Sequence, residues 1–319
     1  MTVRHADLPS ASGRRGRCIA RACGLEAGAP KPGNVHPGVA YHDLSHADLV
    51  AAGAALAPAF DAAPRSRLGA TIRAAVEASR RVTRYNANLG IVLAVAPLAA
   101  VPDGITPDPA AVSAVLDTLG PDDAHDCWAA IALARPGGMG TRDRWDLTGA
   151  PPPDLLAAMR SAAAYDQIAR LWAHGYEPLF TGLVADLEGE LLAGEDVEGA
   201  IVRGFLRQLA REPDSLIARK HGPAVAAAVS TRAGDVVARS TGWREAARSF
   251  EQDLWAGRDL AGFLPPPGGA TPGTINPGTT ADLVAAALYI LLATGRLEAL
   301  VGPDPTLTSR VLPHRRGSA

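Results

Sequence analysis

The sequence predicts an all-α protein, a single-domain multi-helix bundle with long polar loops. Three observations carry that expectation. Apolar residues recur at helical spacing along most of the chain. Alternating, strand-like segments are scarce, and aromatic residues make up only 5%. Proline and glycine gather around 28–38, 102–109, 136–153 and 262–278, which read as loops. Leu49, Gly53, Leu56 and Phe60 share one helical face. So do Leu68, Ile72, Val76 and Ser79, with Arg73, Glu77, Arg80 and Arg81 on the solvent side. Similar patterns cover 110–134, 154–173, 179–193, 197–211, 222–239, 243–256 and 280–293. Thr279 and Thr280 before Asp282 read as a cap and an acidic first turn for the last long helix. The domain is placed at 13–303, with a loosely ordered tail over 304–319.

Composition narrows the class. With 319 residues and 47% hydrophobic content, the chain can bury a large core. A net charge of -2 offers no basic surface for nucleic acid. No run of eighteen apolar residues occurs, because Pro97 and Gly295 break the longest candidates, so no membrane span is expected. Cys18, Cys23 and Cys127 form no CxxC pair and read as core thiols in a reducing cytoplasm.

A sharper signal lies in residue choice. Of 31 basic residues only Lys31 and Lys220 are lysines, and the only asparagines are Asn34, Asn86, Asn88 and Asn276. A background that replaces Lys by Arg keeps lysine where a compact ammonium is needed. All six residues fall in four short polar segments. The first runs from Glu26 through Lys31-Pro-Gly33-Asn34-Val-His36 to Gly38, with Asp43 following. Its glycines suit an anion-binding loop, Lys31 supplies a point charge, and His36 is able to accept a proton; a rigid interhelical loop explains the spacing equally well. In the second, Asn86-Ala87-Asn88-Leu89-Gly90, Asn88 reads as an N-cap. The third gathers Asp214, Arg219 and Lys220 within seven residues, suited to a phosphate and its metal. The fourth, Asn276-Pro-Gly-Thr-Thr-Ala-Asp282, feeds a helix N-terminus. Arg135-Pro-Gly-Gly-Met-Gly140 with Asp143 and Asp146 is a weaker anion-loop signal, and Asp166 reads as an inward carboxylate on a helical stripe. P-loop, dinucleotide and hydrolase signatures are absent.

Taken in order, these segments resemble the triphosphoribosyl-dephospho-CoA synthase family, over about residues 17–295. The Lys-Pro-Gly-Asn-Val-His form resembles an archaeal and methylotroph-type branch of that family. The resemblance implies a cytoplasmic transferase moving the triphosphoribosyl group of ATP to a hydroxyl of dephospho-CoA, or of a related ribosyl-containing precursor, with release of adenine. It implies Mg²⁺, small-molecule substrates and, as an open possibility, a homodimer. Carried onto this sequence, Glu26, His36 and Asp43 take catalytic roles. Lys31, Gly33, Asn34, Asn86, Asn88, Asp214, Arg219, Lys220, Asn276 and Asp282 contact the nucleotide, with Lys31, Arg219 and Lys220 clamping the triphosphate. Asp43, Asp214 and Asp282 hold the metal. Ala87 stands where the family often has Thr, which puts the acceptor in doubt. A Mg²⁺-dependent N-glycosidase and a non-catalytic nucleotide-binding module are the alternatives.

Overall fold

A computed structural model describes residues 13–138, 144–256 and 275–302. Among these residues the chain is helical throughout, with no strand beyond an isolated bridge between His36 and Val39. The expected tail over 304–319 and the Met139–Asp143 part of the glycine loop lie outside the described residues. None of the described helices is long and apolar enough to cross a membrane.

Two helices form the centre. α5 (Leu89–Ala99) and α15 (Gly278–Ala293) are apolar on nearly every face, and each is buried along almost its whole length. A helix apolar all round can only be a core element. α1 (Arg14–Gly28), α11 (Val197–Arg211) and α5 pack on α15. α4 (Leu68–Val82) buries Leu68, Ile72, Val76 and Ser79, the face its sequence pattern specified, and pairs with α7 (Pro121–Ala134). α13 (Pro223–Val237) lies on α11, and α14 (Trp243–Ala256) on α13.

Several expected long helices are broken. The stripe from Leu49 to Phe60 is two helices, α2 (His46–Ala54) and α3 (Ala57–Ala62), because Pro58 has no N–H to continue the ladder. The 110–134 pattern splits before Pro121 into α6 (Pro109–Leu116) and α7. The 154–173 pattern splits into α8 (Leu155–Ala162) and α9 (Gln167–Ala173). The 179–193 pattern opens with a π-helical turn over Leu179–Val184 before α10 (Ala185–Leu192). α12 (Ser215–His221) and α16 (Arg296–Val301) complete the set.

Aspartates far away in sequence cap several helix starts. Asp61 accepts from Gly13 N and Gly16 N at the head of α1. Asp123 accepts from Gly69 N in α4 and from Gly120 N before its own helix. Asp214 caps α12 through Leu216 N and Ile217 N, and it also accepts from the amide and hydroxyl of Thr280 in α15. Thr279 and Thr280 therefore do not cap α15; Thr280 donates to a neighbour's carboxylate, and Thr279 accepts from the Ser215 hydroxyl. Each such bond satisfies a donor that a helix start leaves open.

Pro97 inside α5 leaves the carbonyl of Leu93 without its usual N–H partner. The indole of Trp172 fills the gap, donating to Leu93 O at 3.0 Å, and the Tyr176 hydroxyl donates to Ala94 O at 2.8 Å. Both side chains are fully buried.

Candidate active site

A cavity of about 500 Å³ opens where the N-terminal ends of α5, α9 and α15 meet the C-terminal ends of α1 and α12. That volume suits a nucleotide-sized ligand. Its wall carries four basic residues, Arg135, Arg144, Arg219 and Lys220, and four carboxylates, Glu26, Asp43, Asp166 and Asp282. Asn34, Asn86 and Asn276 add amides, and Tyr41, Trp128 and Trp145 add aromatic surface. Residues from all four polar segments thus reach one cavity.

The basic side is built on α12. Arg219 donates to Asp166 Oδ2 at 2.7 Å, and Asp166 in turn caps α9 by accepting from Ala169 N. Asp166 is thus an inward carboxylate with a partner, although it sits at a helix start and not within a stripe. The Nε of Arg219 is buried without a partner among the described residues. Lys220 lies beside it. Burial, aided by the Arg219 charge, holds the Lys220 ammonium below the usual lysine range. The 135–138 loop closes against both: a Cβ on Gly137 would stand 3.1 Å from Lys220 Cε, and one on Gly138 3.3 Å from Arg219 Cβ. Asp146 of that weaker signal binds its own turn, accepting from Thr148 N.

Asp282 forms the acidic side with Glu26. Burial, then the neighbouring charges of Glu26 and Asp214, push the Asp282 carboxyl well above the usual carboxylate range, with Arg219 opposing. No described residue donates a hydrogen bond to it. Gly90 makes room for it, since a Cβ there would stand 1.9 Å from Asp282 Oδ2. Asn276 Oδ1 is likewise buried without a partner among the described residues.

Other expected contacts are placed differently. Lys31 is 0% exposed, and its ammonium turns away from the cavity toward Glu26 Oε1 at 2.9 Å and two backbone carbonyls. Two backbone carbonyls and one carboxylate thus occupy the ammonium that the sequence assigns to the triphosphate, and Lys31 is not among the residues that line the cavity. Both Asp214 oxygens, assigned to the metal from sequence, are taken up by four donors from α12 and α15. Burial raises its carboxyl above the ordinary range, and those donors oppose the shift. His36 does not line the cavity; its Nε2 meets Glu251 Oε1 of α14 at 2.6 Å and its Nδ1 faces Pro37 O. Gly33, at φ 81°, packs against the carbonyl of Ile275, where a Cβ would stand 2.6 Å away. It serves loop packing and presents no open anion nest.

Asn88 stands at the start of α5 but does not cap it, since Leu89 N donates to Asn86 Oδ1. Asn88 Nδ2 is buried against Ser79 Oγ. Among the described residues no group of three or more His, Cys, Asp or Glu is arranged to hold a metal. Mg²⁺ arriving on a polyphosphate needs no such cage, because it keeps water and takes one or two carboxylates. Asp43 and Asp282 line the cavity.

Arg144, Trp128, Trp145 and Tyr41 were not singled out from sequence. The basic residue is one arginine among many, and the aromatics fit a core as well as a site. The guanidinium of Arg144 sits 4.3 Å over the Trp145 ring, and Tyr41 stacks on Trp255 at 5.1 Å.

Comparisons with known proteins agree with this architecture. No curated protein matches the sequence. A solved chain from Archaeoglobus fulgidus, assigned provisionally as a triphosphoribosyl-dephospho-CoA synthase, is similar in fold. The TM-score is 0.55 at 23% identity, covering 77% of this chain and 99% of that one. The family model CitG, ATP:dephospho-CoA triphosphoribosyl transferase, matches residues 12–300. With that match over nearly its whole length, the chain belongs to the ATP:dephospho-CoA triphosphoribosyl transferase family of transferase enzymes.

Proposed function

We propose that the protein transfers the triphosphoribosyl group of ATP to a ribose hydroxyl of dephospho-CoA and releases adenine. The observation that carries this reading is the two-sided wall: Arg219 and Lys220 on one helix end, Glu26 and Asp282 on others, around one cavity. The basic side suits a polyphosphate that stays intact. The acidic side suits a sugar carbon that gains positive charge as its bond to adenine breaks. In the transfer, the acceptor oxygen bonds to C1′ while the C1′–N9 bond breaks, its electron pair leaving with adenine. The hydroxyl proton passes to a wall carboxylate, for which Asp43 is the candidate, and a proton from the site or solvent completes neutral adenine. Mg²⁺ enters with the triphosphate.

Ala87 favours a second acceptor, a related ribosyl-containing cofactor precursor, because it lines the cavity at a position where the family often has Thr. Purified protein is to be incubated with MgATP and dephospho-CoA, and the products read by mass spectrometry. Adenine together with a triphosphoribosylated product supports the reading. ADP or AMP as the nucleotide product refutes it. Adenine formed at the same rate without any acceptor turns the enzyme into an N-glycosidase.

A further inference from the structure

Lys31 is a fully buried charged side chain beside the cavity, and its surroundings match its shape. A lysine ammonium is a compact donor, and three oxygens surround it: Glu26 O and Ala29 O accept hydrogen bonds, and Glu26 Oε1 pairs with its charge at 2.9 Å. Two of these are backbone carbonyls at the end of α1, each of which also accepts from a backbone amide, Glu26 O from Ala29 N and Ala29 O from Lys31 N. The third is a side chain that lines the cavity. An arginine fork is planar and wider, and cannot meet three acceptors converging on one point. That geometry explains a lysine kept in a chain that otherwise uses arginine almost everywhere.

Glu26 is correspondingly constrained. One carboxylate oxygen is fixed at 2.9 Å from Lys31 Nζ, while no described residue donates to the other. The carboxylate is only 10% exposed, so its freedom is spent facing the cavity.

We infer that Lys31 is a positioning residue for the transfer reaction: it locks α1's last turn and one oxygen of Glu26, aiming the other at the donor ribose. This rests on the transferase reading above. Lys31 touches no substrate, and its influence runs through Glu26.

The test uses wild type, Lys31→Met, Glu26→Gln and the double variant in the full-length protein. Adenine release gives kcat and the KM for ATP, and calorimetry gives ATP affinity. Misplacing a reacting group by about an ångström costs roughly 100-fold in rate. Lys31→Met should therefore lose about 100-fold in kcat with the KM for ATP little changed. In the Glu26→Gln background, Lys31→Met should cost little more. A raised KM with kcat intact, or losses that multiply in the double variant, would overturn the inference. If Lys31→Met does not fold, the double variant, which leaves no charge unpaired, decides through its ATP affinity: unchanged supports positioning, weakened by tenfold or more means direct contact. Absence of adenine release from wild type would instead sink the transferase reading. Calorimetry on the same four proteins would still show whether Lys31 touches the nucleotide.

Discussion

Replacing Asp214 separates two explanations of one residue. From its motif, Asp214 is a metal ligand beside Arg219 and Lys220; in the fold it joins two helix starts. Asp214→Ala removes the cap of α12, worth about 1 kcal/mol. It also leaves the buried amide and hydroxyl of Thr280 without their acceptor, at about 1–3 kcal/mol. Burial already raises the Asp214 carboxyl above its usual range, so deleting it recovers part of the desolvation cost. A net loss of about 2 kcal/mol remains, or roughly 4–8 °C in Tm at about 2–4 °C per kcal/mol. Asp214→Asn keeps one acceptor oxygen for Leu216 and Ile217 but presents an amide to Thr280, so it should fall about halfway between. Thermal melting gives the stability, and ATP titrations at varied Mg²⁺ give the metal dependence, which should match wild type in both variants. Melting within ~1 °C of wild type, together with a lost Mg²⁺ dependence, would refute the capping account and restore the metal role.

Three further outcomes follow from the site and core. Gly90→Ala ordinarily favours a helix by up to about 1 kcal/mol, but here the added Cβ must displace Asp282, so kcat should fall by about 100-fold with Tm nearly unchanged; undiminished turnover would remove Asp282 from the site. Lys220→Ala should weaken ATP binding about tenfold, the scale of one charged hydrogen bond. Because the Lys220 pKa is lowered, its positive charge is present at low pH and is lost as pH rises through a value below the usual lysine range. ATP affinity should drop over that rise in wild type but stay flat in Lys220→Arg, as calorimetry across pH would show. Trp172→Phe should cost about 1 kcal/mol, because Leu93 O loses its 3.0 Å donor and keeps only the Tyr176 hydroxyl at 3.4 Å, and clearly less in Pro97→Ala, where a restored amide serves that carbonyl; equal costs in chemical denaturation would break the link between the two residues.

What the sequence disclosed was local in origin. The α4 stripe and the all-round apolar character of α5 and α15 are periodicities, and periodicity directly reports which faces are buried. Lys31, Lys220 and the four asparagines stood out because composition made them rare, and all four of their segments reach one cavity. Their roles were less legible, because a role depends on partners far away in sequence. Nothing near Asp214 shows that Thr280, 66 residues on, will donate to it. Nothing near His36 reveals Glu251, 215 residues away. A rare lysine in a glycine-proline loop suggests a phosphate; only the fold shows its ammonium turned back toward the end of α1. The broken helices had readable causes in Pro58 and Pro121, but a regular apolar stripe runs through such breaks when short helices share one core.

The position of the site follows from how buried helices must begin and end. α15 is covered on every side, so water cannot serve the amides of its first turn, and protein acceptors must reach them. Asp214 does so from α12, which brings Arg219 and Lys220 beside the α15 start that carries Asp282. α5 begins nearby, and only a glycine at position 90 lets its first turn come within contact of that carboxylate. On the other side, Lys31 donates to two carbonyls at the end of α1 and pairs with Glu26 at the cavity wall. Helix ends that need polar partners are thus brought together within an Ala-rich bundle. The same bonds that complete those ends fix the basic and acidic walls relative to each other. A substitution that frays either end should disturb both walls together, so stability and turnover are expected to fall in step for Asp214 but to separate for Gly90.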